Sequence, residues 1–171
     1  FPPVAGGWDT EIDMSASVQS QPFDVAAEIA VMSAGNKSIG AIASFIGLVR
    51  DLHPQSKSGE AITSMTLEHY PGMTERALED IIAEAKTRWE LFGVRVIHRF
   101  GQLAPGDGIV LVLVASAHRG EAFAACEFIM DFLKTRAPFW KKETGTTGAD
   151  SARWVDARDS DDSAAERWTK R

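Results

Sequence analysis

The strongest chemical signal in the chain is a basic segment, FLKTRAPFWKK at residues 132–142. It carries four cations around a proline and an aromatic pair: Lys134, Arg136, Lys141 and Lys142 around Pro138, Phe139 and Trp140. The whole chain is acidic, with a net charge of −6. A local basic cluster on an acidic chain indicates a site for a particular anion, because a general affinity for polyanions would make the entire surface basic.

A structural explanation of the same cations stays open. Lysine and arginine in the last turn of a helix complement its macrodipole, and Pro138 would end that helix. Lys134 and Lys141 lie on either side of Pro138, so a sharp chain reversal there would bring both into one pocket. A lysine crowded by other cations is held less strongly in its charged form and can serve as an acid, a base or a nucleophile.

A second basic element precedes the same predicted helix. His118 and Arg119 follow an apolar strand and open the helix, where free backbone N–H groups and the positive dipole end favour an anion. An arginine at this place can bind phosphate through two hydrogen bonds. Arg50, where another strand meets a loop, is a further candidate. A satisfied boundary histidine and a solvated arginine remain the alternatives.

Composition excludes several classes of protein. The 171 residues are 44% apolar and 25% charged, which is ordinary for one globular domain. The negative charge disfavours nucleic acid and anionic membrane surfaces as partners. No metal-binding histidine spacing, glycine-rich phosphate loop or GxSxG motif is present, which disfavours zinc sites, nucleotide hydrolases, Rossmann dehydrogenases and α/β-hydrolases. The single cysteine, Cys126, lies in a predicted apolar helix stripe and is expected to be a core residue.

The N-terminal segment predicts neither export nor a membrane anchor. The first cation is Lys37, so the positive and apolar parts of a secretory signal are missing. The longest apolar stretch, residues 109–117, is too short for a membrane span. A reducing, cytoplasmic setting is therefore expected. Residues 1–17 are predicted to be a disordered leader or an expression remnant, and residues 18–171 the folded domain.

Hydrophobic periodicity predicts an α+β fold with antiparallel hairpins and two long helices. The predicted strands are 18–23, 39–49, 62–70, 94–100 and 109–115, with 39–49 and 62–70 forming a hairpin around a polar loop at 51–60. Residues 139–144 and 153–158 form a second hairpin. The predicted helices are 24–34, 73–89, 119–133 and a short terminal one that begins at the capping box Ser163–Glu166.

Seven segments together resemble a known family, the large catalytic subunit of molybdopterin synthase. They are FIGLVR at 45–50, LEHYPGMT at 67–74, VIHR at 96–99, PGD at 105–107, SAHR at 116–119, FIMDFLKTRAPFWK at 128–141 and RWVDAR at 153–158. Each is weak alone, but SAHR at the right distance before LKTRAPFWK is highly specific. The segments run in family order over residues 18–168.

The resemblance implies an α+β fold with a hammerhead-like part, and an enzyme that transfers sulfur. The implied partner is a small ubiquitin-like carrier with a C-terminal Gly-Gly thiocarboxylate. One carrier docks at each end of a dimer of large subunits, which makes a heterotetramer. Sulfur passes to cyclic pyranopterin monophosphate and forms the dithiolene of molybdopterin, in molybdenum cofactor biosynthesis. The family needs no metal or other cofactor for this step.

The resemblance also assigns roles to residues. It implies two catalytic lysines, Lys134 and Lys141, whose individual roles stay interchangeable. The substrate-side positions that it implies are Arg50, His118, Arg119 and Arg158, with Phe45 and Met130 as pocket walls. In the family the His-Arg pair reaches across the dimer, so that one pocket mixes two subunits.

Two other hypotheses remain at this stage. The chain could be a non-catalytic adaptor that grips the C-terminal tail of a ubiquitin-like protein, which needs an apolar groove and one carboxylate-binding cation but not both lysines. Alternatively, the cations could be only helix-end and surface charges.

Overall fold

The structure is a computed structural model that describes residues 14–51, 61–145, 153–155 and 159–169. Within these ranges the chain forms two four-stranded sheets and four helices. The strands are β1 (Met14–Gln19), β2 (Ala41–Leu48), β3 (Ile62–His69), β4 (Leu91–Arg99), β5 (Gly101–Leu103), β6 (Gly108–Ser116), β7 (Phe139–Gly145) and β8 (Arg153–Val155). The helices are α1 (Val25–Ser33), α2 (Met73–Arg88), α3 (Arg119–Arg136) and α4 (Asp159–Glu166).

The first sheet has the strand order β1-β4-β6-β2 and holds the main core. Strand β6 is buried on both faces, as its all-apolar sequence predicted. Every second residue, including Val112 and Val114, packs against α2 and α3. The residues between them, Leu111 and Leu113, pack on the other side against apolar residues of α1. The sheet therefore gives α3 a rigid surface along most of its length.

The second sheet has the order β5-β3-β7-β8, and its paired strands are antiparallel. It has a small core of its own: Val49, Met65, Leu67 and Leu103. The predicted hairpin of β7 with β8 is confirmed. The predicted hairpin of β2 with β3 is wrong, because β2 pairs with β6 in the first sheet and β3 pairs with β5 and β7 in the second. The predicted loop tip, residues 52–60, lies outside the described residues.

The α+β class is confirmed, and two predicted boundaries move. Strand β1 begins at Met14, so residues 14–17 belong to the first sheet and not to a leader. They pair in parallel with β4, and Met14 and Ala16 pack on the main core. Helix α4 begins at Asp159 and not near Ser163, because acidic residues at 159, 161 and 162 suit the positive end of a helix.

Helix α2 follows its predicted pattern closely. Its apolar stripe, which includes Leu78, Ile81 and Ile82, is buried against the first sheet. Its start is fixed at Gly72, whose N–H donates to the Glu75 carboxylate at 2.6 Å. None of the helices in the described part of the chain has both the length and the apolar character that a bilayer crossing requires.

Candidate active site

Two of the predicted catalytic residues lie at the junction of α3 with the second sheet. Helix α3 ends at Arg136 and β7 begins at Phe139, because Pro138 has no N–H group to continue a helix. Lys134 therefore lies in the last turn of α3, and Lys141 lies near the start of β7. We call residues 134–141 the lysine turn. The change from helix to strand across Pro138, which the sequence predicted, is present.

Buried groups hold the lysine turn in place. The Thr74 hydroxyl, fully buried at the start of α2, donates to the carbonyl oxygen of Pro138 at 3.2 Å. The same hydroxyl oxygen accepts from the backbone N–H of Tyr70 at 3.1 Å. The ring of Phe139 stacks on His98 with 3.6 Å between centroids and 18° between planes. The turn is thus fixed to α2 on one side and to β4 on the other.

Replacing Thr74 tests this attachment. Thr74→Val keeps the shape but leaves the Pro138 carbonyl and the Tyr70 N–H without this partner, which costs about 1–3 kcal/mol of unfolding free energy. Thr74→Ser keeps the hydroxyl and serves as the matched control. We expect urea unfolding to show the larger loss for valine. Thr74→Ser removes only the methyl group, so its loss measures methyl packing. Native stability in Thr74→Val would contradict a contribution from the hydroxyl's hydrogen bonds.

His98 is a structural residue, and it is neutral. Burial lowers the pKa of His98 to about 4. Its Nδ1 lies 2.9 Å from the carbonyl oxygen of Arg99, so Nδ1 carries the proton and donates. A cation at this place would have to leave water and stack against the Phe139 ring without a counter-charge.

This burial predicts a pH dependence of stability. The folded-state pKa of His98, about 4, lies below the ordinary value of about 6.5. The stability that the neutral, buried ring contributes is therefore fully present above about pH 6.5 and is lost as the pH falls toward 4. Between pH 7 and pH 5 the loss is about 2 kcal/mol. His98→Phe keeps the stacking and cannot be protonated. Urea unfolding at both pH values should show a smaller loss for this variant, and an equal loss would contradict a neutral His98 in the folded protein.

Lys141 lies on strand β7 of the second sheet and has a carboxylate partner. It lies opposite Leu67 of β3 and on the same face as Glu143, two residues later. Its Nζ is 2.7 Å from Oε1 of Glu143, whose side chain is buried. An ammonium group beside an apolar wall needs such a partner. Lys142 points to the opposite face, where its Nζ lies 5.8 Å from the centroid of the exposed Trp154 ring.

Lys134 is more open than Lys141. Half of its side-chain surface (50%) is exposed, and its Nζ lies 3.7 Å from Oδ1 of Asp161 in α4. The first residues of α4 therefore reach the end of α3. Asp161 was not predictable from the sequence, because no pattern relates a carboxylate on one helix to a lysine on another. Glu143 could have been found, since residues two apart on a strand share a face.

Two of the other predicted anion-binding residues, His118 and Arg119, do not meet Lys134 within one chain. His118 and Arg119 are exposed at the N-terminal end of α3, about 22 Å along the helix from Lys134. No hydrogen bond from the His118 side chain caps that helix. Arg50 is exposed just beyond β2, next to Val49, whose N–H donates to the carbonyl of Asp107. Arg50 thus lies at the end of the sheet where β6 begins, opposite to His118.

The predicted pocket-wall residues differ in exposure. Phe45 is 40% exposed on β2, an edge strand of the first sheet. Met130 is buried in the main core. Arg158 lies outside the described residues. Cys126 is buried in the main core as predicted, and burial raises the pKa of its thiol to about 11, so it is not a thiolate nucleophile at neutral pH.

The fold and the lysine turn define a class of α+β protein with a candidate anion site where a helix enters a second sheet. In the described part of the chain, no three His, Cys, Asp or Glu side chains are grouped to hold a metal ion. The family model described as MoaE protein matches residues 18–136.

Similarity to known proteins identifies the family within this class. The molybdopterin synthase catalytic subunit of Ralstonia nicotianae is 59% identical over 151 residues, which are 88% of this chain and 82% of that protein. The same subunit of Vibrio cholerae is 53% identical over 157 residues, 92% and 99% of the two chains. The solved structure of molybdopterin cofactor biosynthesis protein E from Burkholderia multivorans is 52% identical, has a TM-score of 0.74, and is matched over 91% of this chain and 97% of its own. The chain belongs to the MoaE protein family, the catalytic subunits of molybdopterin synthase.

Proposed function

We propose that this chain transfers sulfur from the C-terminal thiocarboxylate of a small ubiquitin-like carrier subunit to cyclic pyranopterin monophosphate. The product is the dithiolene of molybdopterin, and the setting is the cytoplasm. The observation that carries the proposal is the lysine turn, in which Lys134 and Lys141 flank a helix-to-strand junction that buried groups hold in place. Relatives named as catalytic subunits support both the reaction and a multi-subunit assembly.

The chemistry requires fixed positive charge. The pterin phosphate and the thiocarboxylate are both anions, so bringing them together costs electrostatic energy unless cations lie between them. Each sulfur transfer forms a carbon–sulfur bond on the pterin side chain and breaks a carbon–oxygen bond there, so that one transfer opens the cyclic phosphate and the other releases water. Hydrolysis of the acyl–sulfur bond then frees the carrier as its carboxylate. A preorganised cation at the developing charge is worth about 10² or more in rate. Two such transfers give the two sulfurs of the dithiolene.

The two lysines suit different parts of this reaction. Lys134, half exposed, is the central catalytic residue, which stabilises the charged intermediate or moves a proton at the attacked carbon. Lys141, held by Glu143 at 2.7 Å, supports Lys134 and holds the carboxyl end of the carrier tail. The ion pair with a buried carboxylate holds the ammonium group in place, as an anchoring role requires.

A second copy of the chain completes the pocket. His118 and Arg119 are exposed at the far end of α3, about 22 Å from Lys134, which is too far for one small substrate to touch all of them in a single chain. In a twofold dimer the His-Arg pair of one copy reaches the lysine turn of the other. The exposed Phe45 on edge strand β2 supports a contact between copies there, with carriers docked at the two ends of a heterotetramer.

The direct test mixes the purified chain with a thiocarboxylated carrier and cyclic pyranopterin monophosphate, followed by an assay for the dithiolene. The proposal predicts product in proportion to the chain, and none with a carrier that ends in an ordinary carboxylate. An adaptor that only grips the tail would bind both forms of the carrier and give no product with either.

A further inference from the structure

The C-terminal helix α4 lies along the end of α3 and brings a carboxylate to Lys134. The contacts run in opposite directions along the two helices. Asp161, near the start of α4, faces Lys134 at 3.7 Å, whereas Arg167, just after the end of α4, binds Asp131 and Glu127, one and two turns earlier on α3. The helices are therefore antiparallel, and the beginning of α4 lies at the lysine turn.

The far end of α4 is firmly anchored. Asp131 accepts hydrogen bonds from the Trp168 indole N–H at 2.7 Å and from the Arg167 guanidinium at 2.6 Å. The Trp168 ring packs edge-on against Phe128 and Trp89, with centroid distances of 5.5 and 5.7 Å. The charge-assisted hydrogen bonds to Asp131 and the packing of the Trp168 ring together hold this end of the short helix against α3. The place of Asp161 relative to α3 is thus set by packing and not by its ion pair with Lys134 alone.

The Asp161 side chain is also partly covered. Only 23% of its surface is exposed, compared with 50% for Lys134, so the carboxylate is the more fixed member of the pair. At 3.7 Å the two charges attract each other, but the distance exceeds the length of about 2.8 Å that a charge-assisted hydrogen bond has. Asp161 can therefore direct the ammonium group without engaging its N–H donors in a short hydrogen bond.

We propose that Asp161 is a positioning residue for Lys134, which holds the catalytic ammonium group in its working orientation while the N–H donors stay available to substrate. This inference rests on the proposed function. A lysine has four rotatable side-chain bonds, and a fixed counter-charge reduces the number of rotamers that it samples. The same carboxylate weakens the attraction of the site for an anionic substrate. Asp161 thus orients the catalytic ammonium group and at the same time lowers the affinity for the anionic substrate.

These two effects predict opposite consequences for catalysis and for substrate binding when the Asp161 charge is removed. Asp161→Asn keeps the size of the side chain and removes its charge. We expect kcat for dithiolene formation to fall about three- to tenfold, and KM for cyclic pyranopterin monophosphate to fall as well, because the ground-state anion is then bound more tightly. Asp161→Glu restores the charge and should recover most of kcat. A merely structural role would not lower KM.

Asp162→Asn is the matched control. Asp162 also lies in the first turns of α4 but is exposed, so its loss has the same effect on the helix dipole without touching Lys134. We expect native kcat and KM for Asp162→Asn. The melting temperatures of Asp161→Asn, Asp161→Glu and Asp162→Asn should lie within a few degrees of one another.

The possible outcomes separate the two claims. If the unmodified chain makes no dithiolene, the proposed function itself fails. If the unmodified chain is active and Asp161→Asn matches it in kcat, the positioning role is wrong. Equal losses in Asp161→Asn and Asp162→Asn, or a raised KM in the former, would also overturn it, since either result assigns the effect to the helix or to the pocket as a whole.

Discussion

Replacing Lys134 with alanine is expected to lower the rate of dithiolene formation by about 10² or more and to leave the protein folded. In the proposed reaction the loss is large because the lysine is preorganised where charge develops as sulfur attacks the pterin. The fold survives because the side chain is half exposed and its Nζ lies 3.7 Å from Asp161, a geometry worth only about 0–1 kcal/mol in stability. Single-turnover assays and thermal melts measure the two quantities separately.

Lys142→Ala is the control for Lys134→Ala. Lys142 belongs to the same basic segment, but it points to the opposite face of β7 from Lys141, near Trp154. If the segment acted only through its total charge, both variants would lose activity equally. We expect Lys134→Ala to lose activity and Lys142→Ala to keep it. A Lys134→Ala protein that converts the precursor at the native rate would remove Lys134 from the mechanism.

Mixed dimers should show that each pocket is shared between two copies. Arg119→Ala and Lys134→Ala, each nearly inactive as a homodimer, are expected to give about half of native activity per dimer when paired with each other, because twofold symmetry leaves one pocket with both residues intact. Differently tagged chains, purified in tandem, yield the mixed dimer. The measurement is its rate of dithiolene formation.

The reciprocal pairing is the control for this experiment. A chain that carries both substitutions is paired with the unmodified chain. In a shared pocket each of the two sites then lacks one residue, and activity is nearly lost. In a pocket built from one chain, the unmodified chain would keep its own site and half of the activity. The two pairings therefore give opposite results for the two arrangements.

The sequence predicted the parts of the site that depend on local chain geometry. Pro138 cannot continue a helix, so the end of α3 between Lys134 and Lys141 follows from residue chemistry alone. The start of α3 at Arg119 and the burial of β6 follow from an apolar strand followed by a helical pattern. The resemblance lies in short motifs, so it indicates the family independently of the fold.

Contacts between distant segments were not predictable in this way. β-Branched and small residues indicate that β2 is a strand, but its partner β6 lies far along the chain, and nothing local specifies that pairing. The carboxylate that faces Lys134 comes from α4, and the hydroxyl that holds Pro138 comes from α2. Each of these depends on how elements pack, which single-sequence patterns do not record.

The central claim is that one cationic pocket forms from the lysine turn of one copy and the His118-Arg119 pair of a second. The most direct measurement is a crystal structure of the dimer with cyclic pyranopterin monophosphate bound. We predict the ligand in contact with Lys134 and Lys141 of one copy and with His118 and Arg119 of the other, the phosphate oxygens lying about 3 Å from cationic N–H donors. A ligand bound elsewhere, with both lysine ammonium groups directed into bulk solvent, would contradict the account.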